Sequence, residues 1–202
     1  MTIHRIRQLG DPILRARCAA VQDPGSPAVR IVVDDLQETL QDWQARHGFG
    51  RGIAAPQIGA PLRIVYCELE PGVPWVLINP EITDIGTEDF DVWDDCFSFA
   101  MLYVRVSRAF HIRLSWLDLK GQRHEGDFSG AVSELLQHEL DHLDGVLSID
   151  RPHGLDPFCF RDEWHRHHEA DGRYGTPHLR EVSLLPSTHE YDIGALRREE
   201  LI

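Results

Sequence analysis

In His138-Glu139-Leu140-Asp141-His142, two imidazoles stand four residues apart with a carboxylate beside the first. Four residues is close to one helical turn, so both rings leave the same face of a helix. Such a pair can hold one divalent metal ion, and the neighbouring Glu can handle the proton of a metal-bound water. At roughly 100° per residue, Val132, Leu135, Leu136, Leu140 and Leu143 share one arc of that helix. Glu139 falls inside the arc, and His138 and His142 lie at its edge. A carboxylate on an apolar face is desolvated, which raises its pKa toward a value useful for acid–base chemistry. The pattern predicts a helix from about Gly130 to Leu143, ending near Gly145. By themselves the five residues also fit two structural histidines.

The rest of the chain sets the frame. Its 202 residues suffice for one domain with a real core, and 42% hydrophobic content is ordinary for a globular protein. A formal net charge of −13 argues against nucleic acid as a direct partner, since phosphate binding needs clustered Lys and Arg. Neither an N-terminal apolar leader nor a membrane-length apolar run is visible, so a cytoplasmic protein without a membrane partner is expected. Cys18, Cys67, Cys96 and Cys159 form no CxxC pair and read as free thiols, mostly buried.

The patterning predicts one compact α+β domain. Val29, Val32, Val33, Leu36, Leu40 and Trp43 recur at helical spacing, giving an amphipathic N-terminal helix from Pro27 to about Arg46. Strand-like runs follow at Arg63 to Leu69, Trp75 to Ile78 and Phe90 to Phe99. Arg108 to Leu119 alternates apolar and polar residues and leads into a hairpin turn at Leu119-Lys120-Gly121-Gln122. After Pro152 the chain becomes polar and His-rich, with a short helical candidate near Ile193 to Leu201.

Two histidines leave a metal site short of a ligand. Glu163 and Glu169 lie downstream, where a thermolysin-like protease would draw its third ligand, though the segment around them lacks a convincing helical pattern. Upstream, Cys96 near the end of a predicted strand offers a thiolate. Composition and periodicity do not decide between them.

Three motifs in order resemble those of peptide deformylases: Gly50-Arg51-Gly52-Ile53-Ala54-Ala55-Pro56-Gln57-Ile58-Gly59, Asp94-Asp95-Cys96-Phe97-Ser98, and Gln137-His138-Glu139-Leu140-Asp141-His142. Gly10-Asp11-Pro12-Ile13-Leu14, Asn79-Pro80 and Asp144-Gly145-Val146-Leu147 fit the same family. The resemblance covers roughly residues 3 to 152. It implies an α+β, peptide-deformylase-like fold with antiparallel or mixed β-sheets around a central metal-binding helix. On that basis residues 1–152 form the catalytic domain, and 153–202 form an extension packed on the same domain.

The resemblance also implies roles. Cys96, His138 and His142 match the ligands of one divalent metal, expected to be Fe²⁺, with Ni²⁺, Zn²⁺ or Co²⁺ as replacements. Glu139 matches the residue that passes the water proton to the departing amine. Gln57 and the backbone N–H of Phe97 match the donors that meet the tetrahedral oxyanion, which is physically apt because preorganised dipoles act where charge develops. Gly50, Arg51, Gly52, Asp95, Phe97 and Tyr103 match substrate-facing positions. The implied activity is removal of the N-formyl group from the N-terminal methionine of peptides or ribosome-associated nascent chains, releasing formate, by a monomer or dimer.

Departures from the motifs bear on the substrate. Asp94 and Asp95 stand where Glu and Gly are usual, Arg51 replaces an aliphatic residue, and Tyr103 stands where many members carry Arg. An Arg51–Asp95 ion pair beside the cleft is expected, against the alternative that each points to solvent. These changes motivate a second reading, the same machinery acting on another formylated or acylated substrate. A third is a catalytically silent binding protein, against which the intact ligands, Glu139 and Gln57 argue. His165, His167 and His168 read as solvated side chains rather than a second metal site. Asp141 and Arg108 are candidates either for supporting the ligands or for pairing elsewhere, and Trp93 and Trp116 for the core or the cleft wall.

Overall fold

The structure, a computed structural model, describes residues 2–70 and 72–173. Helix α1 runs Pro27–His47. The Ser26 side chain accepts from the Val29 N–H, and Pro27 sits in the first turn, where its missing N–H has no helical partner to lose. Its stripe of Val29, Val33, Leu36, Leu40 and Trp43 is buried against strands β1 (Gly52–Ala54) and β2 (Ile64–Glu70).

The remaining strands are β3 (Val73–Ile85), β4 (Asp89–Asp95), β5 (Leu102–Ala109), β6 (His111–Leu117), β7 (Arg123–Ser129) and β8 (Phe158–Phe160). They form a five-stranded sheet ordered β1-β2-β3-β6-β7 and a three-stranded sheet ordered β4-β5-β8. Every pairing of named strands is antiparallel, which narrows the expected mixture. β3 kinks where its register with β6 shifts between Ile78 and Glu81. Asn79 takes φ 50° there, and its side-chain amide both donates to and accepts from the Val21 backbone at 2.8 Å.

Two sequence expectations are corrected. The strand expected over Phe90 to Phe99 ends at Asp95; Cys96 then leads into a 3-10 turn at Phe97–Phe99 whose three side chains are all buried, an arrangement a strand's alternation cannot give. The alternating run from Arg108 to Leu119 spans two sheets, because Arg108 and Ala109 end β5 and β6 begins at His111. The run Leu102 to Ser107 carried no strand expectation, yet it forms most of β5.

Helix α2, Gly130–Leu143, follows β7 with no intervening loop. Leu135, Leu136, Leu140 and Leu143 are buried against Val65, Leu77, Leu114 and Phe128 of the large sheet. At roughly 1.5–3 kcal/mol for each such side chain, this contact is the main force holding the helix centrally.

Beyond Pro152, β8 pairs with β5, and helix α3 (Arg161–His167) stacks Trp164 on Tyr103 at 4.7 Å. His165 lies 3.3 Å from Glu169 and His167 lies 3.4 Å from Glu163, contacts within the segment itself. Ile193 to Leu201 lie outside the described residues. Among the described residues no helix is long and apolar enough to cross a membrane.

Candidate metal centre and its cavity

Cys96 follows the last residue of β4, and His138 and His142 project from α2. Their ligand atoms lie within 4.8 Å of one another, all three residues are buried, and Cys96 Sγ stands 3.2 Å from His142 Nε2. Tetrahedral bonds of roughly 2.1 and 2.3 Å would set N and S about 3.6 Å apart, so the pocket is near the size a divalent ion requires. A thiolate and two imidazoles suit Fe²⁺, Zn²⁺, Co²⁺ or Ni²⁺ and not an oxygen-seeking ion. The residues fit the metal.

Neighbouring groups orient these ligands. Asp94 Oδ1 lies 2.8 Å from His138 Nδ1, which leaves His138 Nε2 for a metal. Asp94 Oδ2 accepts from Arg108 at 2.9 Å, and Arg108 donates at 2.6 Å to Asp141, which also receives Arg151 at 2.8 Å. Arg108 and Asp141 thus support the ligands through Asp94. Gln137 and Ser133 fix the rotation of α2: the Gln137 amide accepts from Ala109 N–H at 3.1 Å and donates to Ala109 C=O at 2.9 Å, and Ser133 donates to the same carbonyl at 2.8 Å.

Burial opposes a charged His138, but the Asp94 carboxylate outweighs it and raises the imidazole well above its ordinary pKa. Burial and then the charge of His138 push His142 well below. Burial raises the Cys96 thiol despite its contact with His138. Asp94 is pulled below the usual carboxylate range by His138 and Arg108 against the effect of its own burial.

Glu139 is buried, as its place on the apolar arc predicts, and burial raises its carboxyl to about 7. Its Oε2 has no hydrogen-bond partner among the described residues. Its Oε1 is approached so closely by the backbone at Gly52 that a Cβ there would lie 2.8 Å away. Gln57 Oε1 accepts from Ala54 N–H at 2.9 Å, which turns Nε2 toward Ser98 Oγ at 3.3 Å and Cys96 Sγ at 3.7 Å.

A cavity of about 560 Å³ opens over these groups. Gly50, Arg51, Gly52, Gln57, Asp95, Phe97, His138 and Glu139 line it, with Phe49, Leu69, Leu135 and Glu134. Tyr103 does not line it: the residue is buried behind Arg161, whose guanidinium donates to the Tyr103 hydroxyl at 3.0 Å. Phe97 stacks on Trp43 at 4.6 Å, tying the wall to α1. The expected Arg51–Asp95 pair does not form, and three others take its place. Arg51 donates to Glu134 at 2.7 Å and to the Ala131 carbonyl at 2.9 Å, while Asp95 accepts from Arg161 at 3.0 Å and pairs with Arg173. Glu134, one turn before His138 on α2, is nearer to Arg51, and the polar segment beyond Pro152 supplies the partners of Asp95.

Sequence reasoning missed Glu134, Arg161, Arg173 and the Asp94–His138 contact. The helical wheel that placed Glu139 could have found Glu134, four residues before His138 and on its side of the helix. Nothing local marks Arg161 or Arg173.

Comparison with known proteins agrees with this geometry. A family profile described as polypeptide deformylase matches residues 3–157. Peptide deformylase 1 of Bordetella pertussis is 37% identical over 169 residues, covering 79% of this chain and 93% of that protein. Peptide deformylase of Dictyoglomus thermophilum is 38% identical over 149 residues, covering 74% and 92%. The crystal structure of peptide deformylase from Thermotoga maritima is similar with a TM-score of 0.69 at 33% identity, covering 76% of this chain and 100% of that one. A Met-Ala-Ser-bound class I type b peptide deformylase from Acinetobacter baumannii has a TM-score of 0.67 at 27% identity, covering 74% and 98%. The chain belongs to the polypeptide deformylase family.

Proposed function

We propose that this cavity hydrolyses the N-formyl amide at the N-terminal methionine of peptides and nascent chains, releasing formate, in the cytoplasm. The supporting observation is the convergence of Cys96, His138 and His142 with the Gln57 amide and a buried Glu139 carboxylate whose Oε2 has no hydrogen-bond partner among the described residues. Cys96, His138 and His142 hold one divalent ion, Fe²⁺ in the cell, with Ni²⁺, Zn²⁺ or Co²⁺ as substitutes. When bound, that ion supplies an activated water and a Lewis acid for the formyl oxygen. Glu139, with a carboxyl near neutrality, accepts the water proton and returns it to the amine nitrogen as the C–N bond breaks. Gln57 Nε2 and the Phe97 N–H donate to the developing oxyanion. Gly50, Arg51, Gly52 and Asp95 contact the peptide, and Tyr103 acts through Arg161. Residues 153–202 are read as an extension of the 1–152 catalytic domain; over 153–173 the β8–β5 pairing and the contacts of Arg161 and Arg173 with Asp95 support this, and 174–202 lie outside the described residues. The test is formate release from formyl-Met-Ala-Ser by protein prepared without oxygen and loaded with Fe²⁺ or Ni²⁺. Stoichiometric metal without formate would overturn the reading.

A second reading, the same hydrolysis on another formylated or acylated substrate, is favoured by the Arg51–Glu134 ion pair in the cavity wall. Formate or acid release from a panel of acyl peptides separates the two.

A further inference from the structure

The segment beyond Pro152 reaches the cavity along a sheet edge. β4 pairs with β5 on one side; on the other, Trp93 N–H donates to the Arg173 carbonyl at 2.9 Å. The His168 ring packs 5.2 Å from that of Trp93. The Arg173 side chain then enters the cavity, where one Nη2 meets Asp95 Oδ1 and lies 4.0 Å from Glu134 Oε1.

The second oxygen of each carboxylate is already engaged. Asp95 Oδ2 accepts from Arg161 at 3.0 Å and Glu134 Oε2 from Arg51 at 2.7 Å. The chain's own guanidinium therefore sits between two largely buried carboxylates, bonded to the free oxygen of Asp95 and within ion-pair range of that of Glu134. A backbone bonded to an edge strand, with its side chain seated in a pocket beside it, is how extended peptides add to sheets. Here the chain does this to itself.

We propose that Arg173 is an internal stand-in for a peptide, and that Asp95 and Glu134 form a subsite for a basic side chain of the substrate. A neutral side chain that displaces Arg173 leaves Asp95 Oδ1 without its donor and Glu134 without the positive charge beside it, which is costly in a desolvated site. An arginine or lysine restores the donor, and an acidic side chain is repelled. Occupancy by Arg173 lowers the apparent affinity for every peptide by a common factor, the fraction of open clefts.

This inference rests on the cavity's being a peptide site, so binding is measured apart from turnover. Met-Ala-Ser, Met-Arg-Ser, Met-Ala-Arg and Arg-Ala-Ser, all unformylated, are titrated by calorimetry into Ni²⁺-loaded wild type and Arg173→Ala. At least one arginine peptide should bind about tenfold more tightly than Met-Ala-Ser in both proteins, as a charge-assisted contact requires. Arg173→Ala should bind all four about threefold or more tightly than wild type, with the arginine preference kept. Equal affinities for the four peptides, or binding of none, overturns the subsite. Formate release from the formylated versions reports on the reaction alone: discrimination without formate would keep the subsite and remove the deformylation.

Discussion

Asp94 Oδ1 sits 2.8 Å from His138 Nδ1, and through Oδ2 the same carboxylate holds Arg108 at 2.9 Å. The His138 ring is thereby fixed in orientation and made more basic by a buried negative charge, as a metal-binding imidazole requires. Asp94→Asn keeps the shape and removes the charge. Metal retention in that variant should fall about 10–100-fold in competition with a chelator. An unchanged affinity would show that Asp94 acts on Arg108 alone.

Glu139→Gln keeps the size of a buried side chain and removes its capacity to carry a proton. The variant should bind metal as wild type does, while kcat for formate release drops by about 10²–10⁴. Metal analysis beside single-turnover kinetics separates the two effects. Full activity with Gln at 139 would assign the proton transfer elsewhere.

At Gly52 the backbone passes close to the Glu139 carboxylate. A Cβ added there would stand 2.8 Å from Glu139 Oε1 and 3.2 Å from Cys67 Sγ. Gly52→Ala should therefore push Glu139 aside and cost about 1–3 kcal/mol of stability from overpacking. Activity should fall more than thermal stability does. A variant with wild-type kcat and wild-type Tm would contradict the packing seen here.

The β6–β7 turn gives a pH prediction away from the metal. Burial disfavours the Asp118 carboxylate, yet hydrogen bonds from His124 and from the Gln122 and Lys120 N–H groups hold its pKa below the ordinary value. A depressed folded-state pKa stabilises fully above the unfolded value of about 3.9, and the stabilisation is lost as pH falls toward the folded value. The Tm difference between wild type and Asp118→Asn should be steady near pH 7 and narrow below about pH 4. A gap that stays constant down to pH 3 would exclude ionisation of Asp118 as its source.

How much of this was legible beforehand differs by residue. The boundaries of α1 and α2 follow from apolar spacing and from their terminal residues, and the burial of Glu139 follows from the same wheel. The place of Cys96 came from a resemblance, because nothing in a single strand says which helix it will face. Asp94 and Arg108 meet because antiparallel register lays β4 beside β5, with Asp94 opposite Val104, and such pairing is set by the whole sheet. Arg161 and Arg173 were hidden because a polar segment carries no period to read. Phe158-Cys159-Phe160 is an apolar run of three residues, too short to stand out against loop.

The absence of a loop between β7 and α2 has a consequence for what length changes this chain can accept. The strand and helix share one continuous backbone, and Ser133 and Gln137 lock the helix onto Ala109 from the side away from the cavity. One residue inserted near Gly130 would turn everything after it by roughly 100°. His138 and His142 would then turn into the places of Glu139 and Leu143 on the apolar arc, and Gln137 and Asp141 would turn toward Cys96. Insertions at the Asp118–Gln122 turn, at the far end of the same hairpin, leave that angle untouched. In lineages descended from this protein, indels should accumulate at one end of β7 and be purged at the other.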